Sequence, residues 1–377
     1  LNALFGLYFL FAASATSGLS VLSQAGGYLL VDGLLAAALA YALLRRSSAP
    51  WRIGLETASA LARLLLGAWF LLVPGLARGG ITAVVALVVL CAAAVGLGAS
   101  EVALALAFGR RSPDLRRSLA PAILAILAGL AMFFFVVPGL VERSSNETLH
   151  APPYEVSARA RELHGRLFVA DMHADTLLWD RDILERGGRG HVDVPRLVEG
   201  GVALQIFTVV TKAPRGMNIE RTEGDTDNVT PLVVAQRWPV RTWGSLTERA
   251  LYQARRLLDA EARAGGRLVF VRTAGDLARF VERRKREPQL VAALLGVEGA
   301  HALDGRLENF DALFDAGVRM MAPTHFFDNE WGGSAHGVSK GGLTEGGREL
   351  VRRMESRGVL VDVAHASAQT IGDVLAL

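Results

Sequence analysis

The hydrophobic positions along the chain follow two patterns, and the change between them falls near residue 142. Before it, long apolar stretches alternate with short polar ones, and a helix needs about 20 apolar residues to cross a bilayer. The stretches of suitable length cover residues 3–22, 28–44, 60–77, 81–108 and 119–141. One such stretch alone could be the buried helix of a soluble protein. Five in succession predict an α-helical membrane region with about five transmembrane helices over residues 1–142.

The distribution of charge supports this division. Nine Arg against five Asp or Glu give residues 1–142 a net charge of +4, whereas 31 Lys or Arg against 32 Asp or Glu give the remainder −1. The basic excess therefore indicates membrane topology, with a lipid bilayer as partner, rather than nucleic-acid binding. The Arg-rich loops "RRSSAPWR" and "GRRSPDLRR" are predicted to be cytoplasmic. This orientation places everything after residue 142 outside the cytoplasm of a cell, which the Ala-, Leu- and Arg-rich composition suggests is bacterial.

After a polar linker at 143–157, apolar runs that resemble buried parallel strands alternate with amphipathic helices. The predicted strands cover residues 167–172, 202–210, 290–299, 318–326 and 358–365, and the predicted helices cover 246–265, 274–286, 306–317 and 344–358. This alternation predicts an α/β domain over 158–377. Polar residues gather where strands end, as in a (β/α)8 TIM-like barrel. Since a barrel has eight strands and only about five precede Leu377, we expect the barrel to be C-terminally truncated in this chain.

The stretch "FVADMHADTLLWD", residues 168–180, carries the first candidate chemistry. Asp171, His173 and Asp175 are spaced two apart, so on a strand they share a face. The pattern His-x-Asp is weak alone, because it recurs by chance. However, the later strand ends carry similar groups, at Glu298, His325, Asp362 and His365. Imidazole and carboxylate together suit zinc and similar divalent ions, and two ions that share a carboxylate can activate one water molecule.

With these motifs in order, the chain from about residue 160 resembles the membrane dipeptidases, a family of renal dipeptidase-like zinc metallopeptidases. The resemblance is carried by "ADMHADTL", "HVDVPRLVEGGVALQIFTVV", "LLGVEGAHAL", "THFFDNEWGGSAHG" and "GLTEGGRELVRRMESRGVLVDVAHAS". It implies a (β/α)8 barrel with two Zn²⁺ ions that hydrolyses a dipeptide through a metal-bridging water. It implies nothing about residues before 150.

The resemblance also implies roles for individual residues. His173 and Asp175 would bind the first zinc, Glu298 would bridge both ions, and His365 would bind the second. His325 would contact the substrate. The family's further His ligand of the second zinc, and its later Arg and Asp, match no position in this chain. We therefore expect residues 1–377 to bind the second zinc poorly and to show little activity.

Four other polar residues near these motifs have weaker assignments. Asp171 and Asp362 are candidates for orienting the ligand imidazoles, with ordinary hydrogen bonding at a strand end as an equal alternative. His301 and His336 could line the pocket, but structural roles are favoured.

Three hypotheses follow for the function. The first is a membrane-anchored, extracytoplasmic zinc dipeptidase. The second is another metal-dependent amidohydrolase or lactonase on the same barrel. The third is a non-catalytic membrane sensor that only binds a ligand, which the joint presence of His173, Asp175, Glu298 and His365 argues against. The oligomeric state stays open, with a homodimer as one option.

Overall fold

A computed structural model describes residues 119–148, 150 and 152–377, together with 91–99 and the single positions 34, 88, 102 and 106. The chain divides into two compact units, Leu1–Ser145 and Asn146–Leu377. Apart from residue 34, the predicted spans at 3–22, 28–44 and 60–77 lie outside the described residues, and the span at 81–108 is described only in part. These spans and the predicted limits of the linker remain predictions.

The described part of the first unit contains helices α1 (Leu119–Phe135) and α2 (Val137–Ser145). One continuous helical stretch among the described residues, Ala122–Ser145, is long and apolar enough to cross a bilayer, with 24 residues and a mean hydropathy of 2.5 over an 18-residue window. It overlaps the predicted span at 119–141. Its length and composition agree with that prediction, and they are the only features that identify it as a span.

The second unit alternates strands and helices, as its sequence predicts. Its strands are β1 (Val169–Ala174), β2 (Val202–Val209), β3 (Leu268–Phe270), β4 (Val291–Val297), β5 (Val318–Met321) and β6 (Leu360–Val361). Its helices are α3 (Ala158–His164), α4 (Val194–Glu199), α5 (Val229–Ala235), α6 (Arg241–Gly244), α7 (Leu246–Arg263), α8 (Ala274–Arg284), α9 (Asn309–Asp315), α10 (Glu345–Ser356) and α11 (Ala368–Leu375). Short 3-10 helices at Thr176–Leu178 and Ala300–Leu303 follow β1 and β4.

All six strands form one parallel sheet, in which five follow the order β1-β2-β4-β5-β6 and β3 pairs with β4 beside this path. Strand β4 is central, because β2 pairs with it from Ala292 to Val297 along one edge. The other edge of β4 is shared, with β3 beside its first half and β5 beside its second half. The sheet curls into half of a barrel with helices packed on it, an arrangement compatible with the predicted TIM-like fold.

The interior strands are apolar because both of their faces are buried. Along β2, Leu204 and Ile206 join one hydrophobic cluster, whereas Phe207 and Val209 join the main core on the other face of the sheet. Helix α7 packs against that core through small and apolar residues at helical spacing, which are Ala250, Ala254, Leu257 and Ala260. Burial on both faces holds β2 and β4 rigid, so the loops at their ends have a firm base.

Two predicted strands end earlier than expected, and their ends move two histidines onto loops. Strand β5 stops at Met321, because Pro323 lacks the N–H group that a continuing ladder needs. Strand β6 stops at Val361, after which the Asp362 carboxylate accepts a hydrogen bond from the Ala364 N–H at 2.9 Å. His325 and His365 therefore lie on loops rather than within strands, and the prediction of strands through 326 and 365 was wrong.

The loop after β2 is tied to helix α7 by one buried arginine. The Arg249 side chain is nearly inaccessible, and each of its five N–H donors has an acceptor. The acceptors are Thr211 O, Thr242 O, Trp243 O, Asp227 Oδ2 and Thr230 Oγ1. Since Thr211 and Asp227 flank the loop, the arginine fixes both of its ends beside the carboxyl edge of the sheet.

Candidate metal centre

Five predicted metal and substrate residues meet at the carboxyl edge of the sheet. They form two groups in which one potential ligand atom per residue lies within 4.8 Å of the others. The first group is His173, Asp175 and Glu298, and the second is Glu298, His325 and His365. Glu298 belongs to both groups, which is the arrangement that a bridging carboxylate requires.

The buried Glu298 carboxylate contacts an imidazole from each of three strand ends. Its Oε1 lies 3.2 Å from His365 Nε2 and 3.6 Å from His173 Nε2. Its Oε2 lies 3.3 Å from His325 Nε2. The structure therefore brings His325, predicted to contact substrate, as close to the carboxylate as the predicted ligands. Distance alone would allow His325 to act as a ligand of the second group.

The backbone after β4 places the Glu298 side chain. Glu298 N donates to Val209 O of β2 at 3.2 Å, which continues the pairing of the two strands. The chain then turns at Gly299, whose φ of +98° is a conformation that L-residues rarely adopt. A Cβ atom at Gly299 would lie 2.5 Å from the His301 ring and 3.0 Å from His325 Cβ. Only glycine permits this turn beneath the two imidazoles.

The pKa values of the site reflect this concentration of charge. Burial alone would raise the pKa of Glu298, but hydrogen bonds from His325 and His365 outweigh it and hold the pKa well below its usual range. The hydrogen bond to Asp175 raises the pKa of His173 to about 9, against the opposing effect of desolvation. In the metal-free protein, Glu298 is an anion and His173 is a cation at neutral pH.

Thr208 orients the predicted ligand Asp175. Thr208 lies on β2, is buried, and its hydroxyl donates to Asp175 Oδ1 at 2.5 Å. The other oxygen of Asp175 lies 3.3 Å from His173 Nε2. The sequence contained a signal for this role, because a lone threonine interrupts the apolar run "QIFTVV" on a strand whose faces are both buried.

Ser334 supports the two histidines that lie on loops. Its buried hydroxyl lies 2.5 Å from His325 O and 3.1 Å from His365 O, so it can donate to either carbonyl. Ala335 N also donates to His365 O at 2.8 Å. His365 has a φ of +63°, unusual for a residue with a side chain, and these contacts hold it there. Ser334 lies in the quoted "GGSAHG" motif, but nothing in the sequence predicted that it would support the two histidines.

The carboxylates of Asp171 and Asp362 make local hydrogen bonds. Asp171 Oδ1 accepts from His173 N at 3.2 Å, and Asp362 Oδ1 accepts from Ala364 N. Neither carboxylate accepts a hydrogen bond from an imidazole among the described residues. Asp362 nevertheless lies close enough to His173 for its charge to contribute to the raised pKa. The observed contacts match the strand-end alternative, and the orienting role remains a prediction.

His301 and His336 support neighbouring rings. His301 is buried and its ring stacks on that of His325, with centroids 6.2 Å apart. His336 stacks on Phe326 with centroids 4.7 Å apart, and its Nδ1 lies 3.1 Å from Ile219 O in the loop after β2. These contacts agree with the structural roles favoured by the sequence.

The donor set fits zinc or a similar divalent ion. The first group offers two carboxylates and one imidazole, whereas the second offers two imidazoles and one carboxylate. In the first group, three protein ligands would leave a coordination position for water or substrate, as catalytic zinc sites require. The Nδ1 atoms of His325 and His365 are buried and have no partner among the described residues, so the side chains around them do not fix their tautomers.

A comparison with protein-family models decides the family. Residues 157–377 match the model of the membrane dipeptidases, peptidase family M19. The chain belongs to this family. The match covers more than half of the chain and includes the whole candidate metal centre, so the family resemblance inferred from the motifs is confirmed.

The chain is also similar to parts of several solved structures. Dipeptidase AC, a metallopeptidase of family M19, is 25% identical over 56% of this chain and 60% of its own, with a TM-score of 0.41. A metallopeptidase from Rhodobacter sphaeroides, solved with a phosphinate mimic of L-Ala-D-Ala, is 22% identical over 56% and 62%, with a TM-score of 0.42. An amidohydrolase from Pseudomonas aeruginosa is 18% identical over 57% and 51%, with a TM-score of 0.38. The chain thus spans about 60% of the length of the first of these relatives.

The raised pKa of His173 predicts how metal affinity depends on pH. A zinc ligand must be a neutral imidazole, so binding at neutral pH has to displace a proton from His173. Below its pKa of about 9, each unit of added pH should raise the affinity of the first group about tenfold, and above pH 9 the rise should stop. Competition with a chromophoric chelator from pH 6.5 to 9.5 measures this. The His173→Gln variant should lose the slope, and a wild-type affinity that is flat with pH would contradict the account.

Proposed function

We propose that this protein is a zinc-dependent dipeptidase. The observation that carries the proposal is the buried Glu298 carboxylate, shared between two groups of potential metal ligands in a member of family M19. A single structural ion would not require a carboxylate in contact with imidazoles from three strand ends. A shared carboxylate at the carboxyl edge of a parallel sheet suits a hydrolytic site instead.

The proposed roles follow the two groups. His173 and Asp175 would hold the first ion, His365 would hold the second, and Glu298 would bridge them. When bound, the two zinc ions would lower the pKa of a water molecule and polarise a peptide carbonyl. The low pKa of Glu298 keeps this carboxylate anionic at neutral pH, so it is ready to bind metal without first losing a proton.

His325 is proposed to bind the substrate rather than a metal. Its Nδ1 has no partner among the described residues, so the ring can carry a proton on Nε2, which faces the site beside Glu298. From there Nε2–H can donate to the carbonyl oxygen of a bound peptide as negative charge develops on it. Two contacts hold the His325 imidazole in place. The ring of His301 stacks on it, and the Ser334 hydroxyl can donate to the main-chain carbonyl of His325.

We also propose that the catalytic unit is anchored to a membrane and faces away from the cytoplasm. Leu124, Leu127 and Leu130 on α1 are exposed, which is favourable for an apolar helix surrounded by lipid. The orientation rests on the Arg-rich loops predicted to be cytoplasmic, and the multi-span topology rests on the sequence pattern.

Hydrolysis should depend on Glu298. The Glu298→Gln variant keeps the shape of the side chain but removes the charge that would bridge the ions. We therefore expect zinc content to fall, and the low activity of the wild type toward a dipeptide such as L-Ala-D-Ala to drop below detection. Glu308→Gln, a carboxylate outside the site, is the control. Zinc binding together with hydrolysis of other amides or lactones, but not dipeptides, would favour the amidohydrolase alternative. Full activity in Glu298→Gln would reject the site.

Labelling of single cysteines in intact cells tests the orientation. In a Cys91→Ser background, a cysteine introduced in place of the exposed Lys285 should react with a membrane-impermeant maleimide before lysis. A cysteine in place of Ser47, in the predicted cytoplasmic loop, should react only after lysis. The reverse pattern would contradict the proposed topology.

A further inference from the structure

A cavity of about 500 Å³ lies at the carboxyl edge of the sheet, beside the candidate metal centre. Its walls include Lys212 from the loop after β2, His301 after β4 and Phe327 after β5. The His301 ring contacts the cavity and also stacks on the ring of His325. One side chain therefore separates this cavity from the residue proposed to contact substrate.

The charged groups around this cavity are mainly negative. The carboxylates of Asp304, Asp328 and Glu330 line it, and the Lys212 ammonium is the only cationic side chain among its lining residues. Three negative charges against one positive charge give the lining a net charge of −2. Such a lining repels anions and attracts cations, and the attraction is strongest at low salt.

The hydrogen bonds of these carboxylates stabilise their charged form. Asp304 accepts three hydrogen bonds at the start of α7. Burial alone would raise the pKa of Asp328, but hydrogen bonds from the N–H groups of Ser339 and Ser334 hold the pKa below its usual range. Glu330 is exposed, and its carboxylate forms no ion pair or hydrogen bond among the described residues. All three groups are therefore anions at neutral pH, and Glu330 is free to pair with a ligand.

The Lys212 ammonium is held at the wall of the cavity by neutral groups. Its Nζ donates to Gly224 O at 2.5 Å and lies 5.1 Å from the centroid of the Phe327 ring. Within the described part of the chain, Lys212 forms no ion pair with a carboxylate. The half-buried lysine therefore reduces the negative charge of the lining without pairing with any of the three carboxylates.

His301 is the independent indication that the cavity receives a ligand. The residue is 4% exposed, and neither of its ring nitrogens has a hydrogen-bond partner among the described residues. Burial lowers the pKa of His301 to about 3, so the ring is neutral and one of its nitrogens is an acceptor. Burying an imidazole without a partner is unfavourable, and phenylalanine would fill similar space without that cost. An N–H donor that enters the cavity would satisfy the acceptor nitrogen.

We propose that this cavity binds a primary ammonium group, which donates to the acceptor nitrogen of His301 and is attracted by the carboxylates, above all by the unpaired Glu330. An ammonium group has three N–H donors, so it can serve an imidazole and a carboxylate at once. Two sources share this chemistry. One is a free small amine, and the other is the lysine side chain of a dipeptide lying across His325, an option that rests on the proposed function.

Ligand-detected NMR titration of the full chain, stripped of metal and at low salt, tests the binding of a free ammonium group. Butylammonium is the probe and 1-butanol is its neutral counterpart. We expect butylammonium to bind more tightly than 1-butanol. Its affinity should fall about tenfold in His301→Phe, which removes the acceptor, and about threefold in Glu330→Gln, which removes an exposed charge.

The Lys212→Met variant gives the test a sign. Removing the like charge should raise the affinity for butylammonium about threefold, whereas the affinity for 1-butanol should not change. Glu308→Gln, which removes an exposed carboxylate outside the cavity, should bind butylammonium like the wild type. Circular dichroism checks that His301→Phe is folded. If it is not, Glu330→Gln and Lys212→Met decide, because neither changes a fully buried side chain.

Three results would overturn the proposal. The first is equal affinity for butylammonium and 1-butanol. The second is wild-type affinity for butylammonium in both His301→Phe and Glu330→Gln, as binding beside Glu298 would give. The third is weaker binding of butylammonium to Lys212→Met.

A second titration identifies the source of the ammonium group. In the zinc-loaded chain, Lys-Ala is compared with Gln-Ala, and Ala-Lys with Ala-Gln. If the cavity takes a substrate side chain, one lysine dipeptide should bind more tightly than its glutamine counterpart, and Glu330→Gln should reduce the difference. Butylammonium binding without a preference for either lysine dipeptide would assign the cavity to free amines. Because butylammonium is tested without metal, a failure of this proposal is distinguishable from a failure of zinc binding or hydrolysis.

Discussion

The structure of the site depends on one buried anion. Placing a carboxylate in a protein interior is costly unless cations or hydrogen-bond donors surround it. Glu298 meets this requirement through imidazoles that come from β1 and from the loops after β5 and β6. Removing one of these partners would leave the charge poorly compensated. The positions of the three strand ends relative to β4 are therefore coupled through this single side chain.

The parallel sheet makes such convergence possible. All carboxyl ends of the strands lie on one edge, so residues that are far apart in sequence, such as His173 and His365, reach the same point. The sheet alone does not orient them. Thr208 orients Asp175, and Ser334 supports the carbonyls of the two loop histidines. The turn at Gly299 leaves space for His301 and His325. These residues bind no ion in the proposed scheme, yet they determine the geometry of those that would.

The sequence pattern predicted the features that depend on short stretches of the chain, such as buried strands. Buried runs predicted β2 and β4 because both faces of these strands are apolar. The His173-x-Asp175 spacing predicted two neighbouring side chains, and they are in contact although Asp175 lies just after β1. It missed β3, whose three residues are too few to show a period between two glycine- and arginine-rich turns. It also extended β5 and β6 too far, since apolar residues continue into loops that pack against the core.

Contacts between residues that are far apart in the chain could not be predicted from the sequence pattern. The Thr208 to Asp175 hydrogen bond joins residues on neighbouring strands, and the Ser334 contacts join three separate segments. Most of the predicted membrane region stays a prediction, and the Ala122–Ser145 helix is the one described stretch that is long and apolar enough to cross a bilayer.

The central claim is that Glu298 is shared by two metal ions, and anomalous diffraction from zinc-soaked crystals tests it most directly. The account predicts two zinc peaks about 3.5–4 Å apart, one on each side of the Glu298 carboxylate. The peak beside His365 should be the weaker one, since only His365 and the bridging Glu298 are assigned to that ion. A single peak that Glu298 does not contact, or two peaks elsewhere in the molecule, would contradict the account.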